Sequence, residues 1–97
     1  MATYIMLLDY TDQGIRNIKD SPKRADAART LAKSCGAEMK EVYMTMGAHD
    51  LVARFEAPND EAMAKFALAV GALGNVRSTT LKAFTESDYR KLIDSLP

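Results

Sequence analysis

The only histidine of the chain, His49, is followed directly by a carboxylate, Asp50. A histidine beside a carboxylate can act as a general base or as a metal ligand. One histidine makes no histidine cluster, however, and neighbouring residues in an extended chain point to opposite sides. The sequence therefore favours a locally hydrogen-bonded residue near a hairpin over a catalytic or metal-binding one.

Two methionines precede this histidine at close spacing, in the order Met44, Met46 and His49. Soft ligands of this kind suit Cu(I), whereas methionine is more often an adaptable filler of cores and interfaces. We therefore predict no metal and no cofactor, with copper binding as the less favoured alternative. Cys35 ends an apolar helical stripe with only Lys33 nearby in sequence, which favours a buried structural thiol over a nucleophile.

A few polar residues remain as candidate contacts for a small ligand. Arg54 and Glu56 share one face of a predicted strand, where pairing across a subunit interface is favoured over ligand binding. Paired carboxylates, a nucleophile triad and a CxxC motif are absent, so we predict no catalytic residues and favour a protein that is not an enzyme. The predicted ligand-binding residues are Tyr43, His49, Asp50, Arg54 and Arg77.

The elements that would position these residues follow the order β-α-β-β-α-β, with a short helix at the C-terminal end. Strands are predicted over residues 4–8, 37–46, 51–57 and 75–84 from their apolar and β-branched content. Helices are predicted from caps at Thr11, Ser21, Asn59 or Asp60, and Thr85. Simple alternation in the second strand would place Met39 on the same face as Glu41 and Tyr43.

This order predicts a single domain, residues 1–97, with an α+β, ferredoxin-like fold: four antiparallel strands with both long helices on one face. The first strand is apolar on both sides, whereas an open sheet face is normally polar. We therefore expect the second face to be covered by another copy of the chain, which makes the protein a homo-oligomer. The alternative is that the final helix folds over this face.

Composition excludes several classes of partner. Thirteen basic residues balance 13 acidic ones, and this zero net charge argues against nucleic-acid binding. The N-terminal residues lack the pattern of a signal peptide, and no apolar run is long enough to span a bilayer. The single cysteine fits a reducing compartment. We therefore expect a cytoplasmic protein with no membrane partner.

Several segments together resemble the GYD domain family: residues 11–16, 47–50, 56–61 and 71–77. The resemblance runs from Tyr4 to about Phe84. In the G-x-Y-D signature, Gly47 and Asp50 match, and His49 stands at the tyrosine position. The resemblance implies a ferredoxin-like subunit with dimeric α/β-barrel-like association, and it implies little about function.

Two hypotheses for function follow. The first is a homo-oligomeric module that binds a small metabolite at a subunit interface, between the uncovered sheet face and the hairpin. The alternative is a small cofactor-poor enzyme of the dimeric α/β-barrel kind, in which His49 or Asp50 transfers a proton. A large cavity holding His49 would favour the enzyme.

Overall fold

Four strands and four helices follow one another in the predicted order. A computed structural model describes all residues, 1–97. Its strands are β1 (Ala2–Tyr10), β2 (Glu38–Met44), β3 (Leu51–Ala57) and β4 (Val76–Ala83). Its helices are α1 (Asp12–Arg16), α2 (Ser21–Ser34), α3 (Asp60–Ala72) and α4 (Glu86–Asp94), with a 3-10 turn at Ile18–Asp20. The longest helix has 14 residues, and none combines the length and hydropathy of a membrane span.

The strands form one antiparallel sheet in the order β2-β3-β1-β4. Helices α2 and α3 cover one face, which confirms the predicted ferredoxin-like fold. Alternate residues of β1 and β3 point into this layer, and the rings of Phe55 and Phe66 meet there at 4.9 Å between centroids. The largest fully buried side chains of the core are Phe55, Phe66, Met6 and Met63.

Three of the predicted helix caps are confirmed by their hydrogen bonds. The side chains of Thr11, Asn59 and Thr85 each accept from the backbone N–H three residues later. The predicted cap at Ser21 is wrong, because Ser21 is the first residue of α2 and its hydroxyl pairs with the Tyr10 hydroxyl at 2.8 Å. A tertiary contact therefore replaces the expected local one.

A β-bulge in β2 overturns the predicted facing of Met39. Met39 is opposite Phe55 and Glu41 is opposite Arg54, so two steps along β2 match one step along β3. The extra residue, Lys40, shifts the alternation of the strand. Met39 consequently packs on the core, whereas Glu41 and Tyr43 lie on the other face of the sheet.

The sheet face opposite α2 and α3 is not covered by the final helix, which rules out the alternative in which α4 folds over it. Every residue of α4 is exposed, including the apolar Tyr89, Leu92 and Ile93. The chain exposes 6629 Å² of surface. A folded monomer of this length exposes about 5,500 Å² by the size scaling of monomeric proteins. The single chain therefore leaves more surface open than a compact monomer of this length does.

The start of α3 is held to the sheet by a buried tyrosine. The Tyr4 hydroxyl donates to Asp60 Oδ1 at 2.5 Å, and Lys82 Nζ lies 3.3 Å from the same oxygen. The hydrogen bond to Asp60 raises the pKa of Tyr4 to about 12. The same bond, followed by the contact with Lys82, lowers the pKa of Asp60.

Replacing Tyr4 with phenylalanine is expected to lower the thermal midpoint by a few degrees at pH 7, because a hydrogen bond to a charged acceptor is lost. Asp60 has a lowered pKa in the folded state, so its contribution is present above its unfolded value of 3.8 and is lost as pH falls through the folded value. Melting curves of both proteins should therefore converge in acid. Tyr43→Phe, which removes a hydrogen bond to Glu41 at an exposed position, is the control and should change the midpoint less. Equal midpoints for Tyr4→Phe and the unaltered chain at pH 7 would contradict this account.

Candidate functional site

The uncovered face of the sheet, here called the open face, combines an apolar centre with charged ends. Strand register places Ile5, Leu7, Val52 and Leu81 next to one another across three strands. Ile5, Leu7 and Val52 are half-buried in the single chain, and Leu81 is exposed. Side chains of this kind on an outer strand face are typical of a surface that packs against another layer. The remaining open-face residues used below are Asp9, Glu41, Tyr43, Arg54, Glu56 and Arg77.

Arg54 is the centre of a charge network on the β2 side of this face. Its Nη2 and Nε lie 2.8 and 3.1 Å from Glu41 Oε1, and its Nη1 lies 3.3 Å from Glu56 Oε2. The Tyr43 hydroxyl donates to the other oxygen of Glu41 at 2.5 Å. Two of the predicted site residues, Tyr43 and Arg54, are thus joined through Glu41, which the sequence analysis had not singled out.

The protonation states of this network follow from its hydrogen bonds. Donation from Tyr43, followed by donation from Arg54, lowers the pKa of Glu41. The same bond raises the pKa of Tyr43. Glu41 is therefore a carboxylate and Tyr43 a neutral donor near neutral pH. This arrangement fixes the orientation of Arg54 and provides no group ready to accept a proton.

His49 lies at the opposite end of the open face and pairs with Asp9, not with Asp50. Its Nδ1 is 3.3 Å from both carboxylate oxygens of Asp9. Arg77, on β4, is the strand neighbour of Asp9. The structure thus brings His49 and Arg77 to one end of the face around Asp9, which lies just beyond the first strand predicted at residues 4–8.

Asp50 ties the β2–β3 hairpin to the end of β1. Its carboxylate accepts from the Tyr10 backbone N–H at 2.9 Å, and its own N–H donates to Leu8 O at 3.0 Å. Thr45 closes the hairpin by donating from its side chain to His49 O at 2.5 Å. Asp50 therefore has a structural contact in this chain, and the partner of His49 is Asp9.

The residues considered for copper binding are on different sides of the sheet. Met44 is opposite Leu51 and lines the helix-covered side, whereas His49 faces Asp9 on the open side. Met46 is almost fully exposed, and no group of three or more histidine, cysteine or acidic residues is assembled anywhere. Cys35 is half-buried at the end of α2 and packs against the core.

A large apolar cleft lies on the other side of the sheet. A cleft of about 470 Å³ separates α2 from the helix-covered face, and none of the five predicted ligand-binding residues lines it. A smaller cavity of about 290 Å³ lies between α3 and β4 beside Tyr4 and Asp60. His49 lines neither cavity, so the observation that would have favoured the enzyme hypothesis is missing.

Comparisons with known proteins agree with this architecture. A family model described as the GYD domain matches residues 4–93. The chain is 28% identical over 89 residues to a protein of Thermus thermophilus named "Glutamine synthetase and cystathionine beta-lyase binding protein". That match covers 91% of this chain and 94% of the relative.

Solved structures show the same fold at low sequence identity. TTHA0845 from Thermus thermophilus is 24% identical with a TM-score of 0.57, covering 88% of this chain and 95% of that one. FFRP-DM1 is 15% identical with a TM-score of 0.63, covering 87% of this chain and 100% of that one. MtbAldR is 16% identical with a TM-score of 0.69, but the match covers only 52% of its chain against 88% of this one.

Proposed function

This chain belongs to the GYD domain family, and from its open face we propose that it is a non-catalytic binding module whose sheet packs against that of a second copy. The observation that carries the proposal is the apolar centre of the open face, formed by Ile5, Leu7 and Val52 and left uncovered by α4. Burial of such a centre is a main source of free energy in obligate association.

The area of the single chain is consistent with a dimer. The surface in excess of that of a monomer of this length is about 1,100 Å². A standard interface buries about 800 Å² from each partner. The excess of the whole chain is therefore large enough for one such interface, and a part of it belongs to the protruding α4.

The charges of the open face also support a second copy of the chain as the partner. Arg54, Glu41 and Glu56 lie on one side of the apolar centre, and Asp9 and Arg77 lie on the other. Both signs are present at each end, so two copies related by a two-fold axis can place opposite charges next to each other. A mixed charge pattern of this kind favours one alignment of the two sheets and avoids a net repulsion between the two copies.

A small metabolite would bind at the edge of this interface, as predicted from the sequence. On the β2 side Arg54 supplies its remaining N–H donors, beside Tyr43, whose own O–H is bonded to Glu41. At the hairpin end His49 and Arg77 supply donors. With arginine at both ends, the ligand we propose carries a carboxylate or phosphate. Asp50 contributes by holding the hairpin in place and not by direct contact.

Native mass spectrometry of freshly purified protein tests these two statements. We expect a dimer, and a reproducible extra mass on that dimer would identify the metabolite. A dimer without extra mass would support the interface and count against the ligand. A monomer at micromolar concentration would contradict the proposal.

A second candidate partner is another protein, favoured by the name of the Thermus thermophilus relative and by the exposed apolar residues of α4. That relative is named for binding glutamine synthetase and cystathionine beta-lyase. In this chain Tyr89, Leu92 and Ile93 form one side of an amphipathic helix that no other element covers. Such a helix can insert its apolar side into a groove of a partner.

Purified glutamine synthetase from the same organism is the first partner to test, by surface plasmon resonance with the immobilised chain. We expect saturable binding that weakens at least about tenfold in Ile93→Glu, because a charge would enter the apolar contact. Leu68→Glu, at an apolar position on α3 that is more exposed than Ile93 (75% against 53%), is the control and should bind as the unaltered chain does. Equal weakening in both variants, or no binding, would contradict a role for α4 in binding this enzyme.

A further inference from the structure

The cleft of about 470 Å³ between α2 and the sheet has the composition of a small-molecule site. Sixteen of its 20 lining residues are hydrophobic, and its volume is in the range of ligand pockets. We propose that it binds a molecule with an apolar body and a single carboxylate end, such as a medium-chain fatty acid. The cleft and the open face are on opposite sides of the sheet, so this proposal does not rest on the dimer.

The apolar part of the cleft is empty because the side chains with which α2 lines it are small. Ala25, Ala27 and Ala28 line the cleft together with sheet residues such as Met39 and Phe55, and their short methyl groups leave the intervening space unfilled. Only Ala32 of α2 is fully buried. Unfilled apolar space forfeits packing contacts, so an apolar occupant would stabilise the fold as it binds.

The polar end of the cleft contains one charge, Arg24. Its Nη1 donates to Asn17 O and its Nη2 to Gly14 O, each at 3.0 Å. No carboxylate lies within 4.0 Å of it, since none of the ion pairs of the chain includes Arg24. A guanidinium has five N–H donors, so three remain after these two bonds. Arg24 is thus an oriented cation without an anion, and the paired hydroxyls of Tyr10 and Ser21 line the same cleft.

A carboxylate is the group that fits this end. Arginine binds carboxylates through charge-assisted, often two-pronged hydrogen bonds, which are stronger than those between neutral groups. Ser21 and Arg24 are three residues apart on α2 and therefore project from the same side of the helix. The remaining lining residues carry no charge, so a second charged group on the ligand would be buried without a partner.

Methionine methyl NMR with sodium decanoate, kept below its micelle-forming concentration, tests the site directly. Met39 and Met44 line the cleft, whereas Met1 and Met46 are exposed elsewhere. We expect saturable shifts of the Met39 and Met44 methyl signals and unchanged Met1 and Met46 signals. No shift at millimolar decanoate, or equal shifts at all four, would overturn the proposal.

Two comparisons test the charged end. Arg24→Gln is expected to weaken decanoate binding about tenfold or more, and 1-decanol should bind the unaltered chain correspondingly more weakly than decanoate. Arg29→Gln is the matched control, because Arg29 is on the same helix, pairs with Asp26 at 3.7 Å and does not line the cleft. Equal affinities for decanoate and decanol, or equal effects of the two arginine substitutions, would overturn the carboxylate assignment.

A third variant keeps the proposal testable if Arg24→Gln does not fold. Ala28→Phe places a ring in the cleft and is expected to abolish decanoate binding while the thermal midpoint is kept or raised. Unchanged decanoate affinity in a folded Ala28→Phe protein would overturn the proposal. Ile93→Glu without ligand provides one more check. If this substitution changes the Met39 and Met44 signals, α4 of a second copy occupies the cleft, and the fatty-acid proposal is overturned.

Discussion

The Val52→Glu protein is expected to be monomeric at concentrations where the unaltered chain is dimeric. Val52 lies between Leu7 and Tyr43 on the open face, on one of the two central strands. In a dimer related by a two-fold axis, the substitution would bury two like charges in the apolar centre. Like charges placed together at an interface cost several kcal/mol, so the dissociation constant should rise at least about a hundredfold.

The fold itself should tolerate this change, because the open face is solvated in the single chain and Arg54 is two residues away on the same side. Sedimentation velocity over a concentration series gives the dissociation constant, and the thermal midpoint of the variant verifies folding. Leu68→Glu, on the exposed side of α3, is the control and should remain dimeric. If the Val52→Glu protein is folded and has the same dissociation constant as the unaltered chain, the interface does not include the open face.

The fold was predictable from sequence because each local signal agreed with the others. The caps at Thr11, Asn59 and Thr85 mark three helix starts by a short-range hydrogen bond that depends only on residue type and spacing. The continuous apolar run of β1 and the alternating apolar positions of β3 likewise depend only on residue type and the geometry of a strand. These features are local in sequence, so a single sequence contains the information for them.

The features that the sequence analysis missed depend on contacts between distant residues. His49 pairs with Asp9, 40 residues earlier, and no local pattern distinguishes that partner from the adjacent Asp50. The bulge at Lys40 depends on how β2 registers with β3, and it moves Met39 into the core. One signal was available: simple alternation would have grouped an apolar Met39 with the charged Glu41, and such a conflict is typical of a bulge.

Two segments that carry the family resemblance contact each other in the fold. Thr11 donates from its backbone to Asn75 O at 3.1 Å and from its side chain to Gly74 O at 2.5 Å. Gln13 Nε2 donates to Leu73 O and to Asn75 Oδ1. The start of α1 and the loop after α3 therefore form one unit. Gly14 O in this unit also receives the Arg24 hydrogen bond at the polar end of the cleft.

Gly14→Ala is expected to lower the free energy of unfolding by about 2 kcal/mol or more, the upper range for overpacking. A Cβ on Gly14 would lie 2.0 Å from the backbone oxygen of Asn75 and 2.9 Å from its carbonyl carbon. Both atoms are backbone, so α1 or the loop at residues 73–75 must move and break the hydrogen bonds between them. Urea denaturation followed by circular dichroism would measure the loss.

Gly71→Ala is the matched control, because the same methyl group is added where it meets nothing within 4 Å. Gly71 is in the last turn of α3, and alanine favours a helix over glycine by about 0.5–1 kcal/mol. This variant should therefore gain stability while Gly14→Ala loses it. In Gly14→Ala the displaced Gly14 carbonyl also frees Arg24, so decanoate affinity should fall even in the fraction that remains folded. Equal stability of the two glycine variants would show that α1 is not packed against the loop at residues 73–75, and the orientation of Arg24 would lose its support.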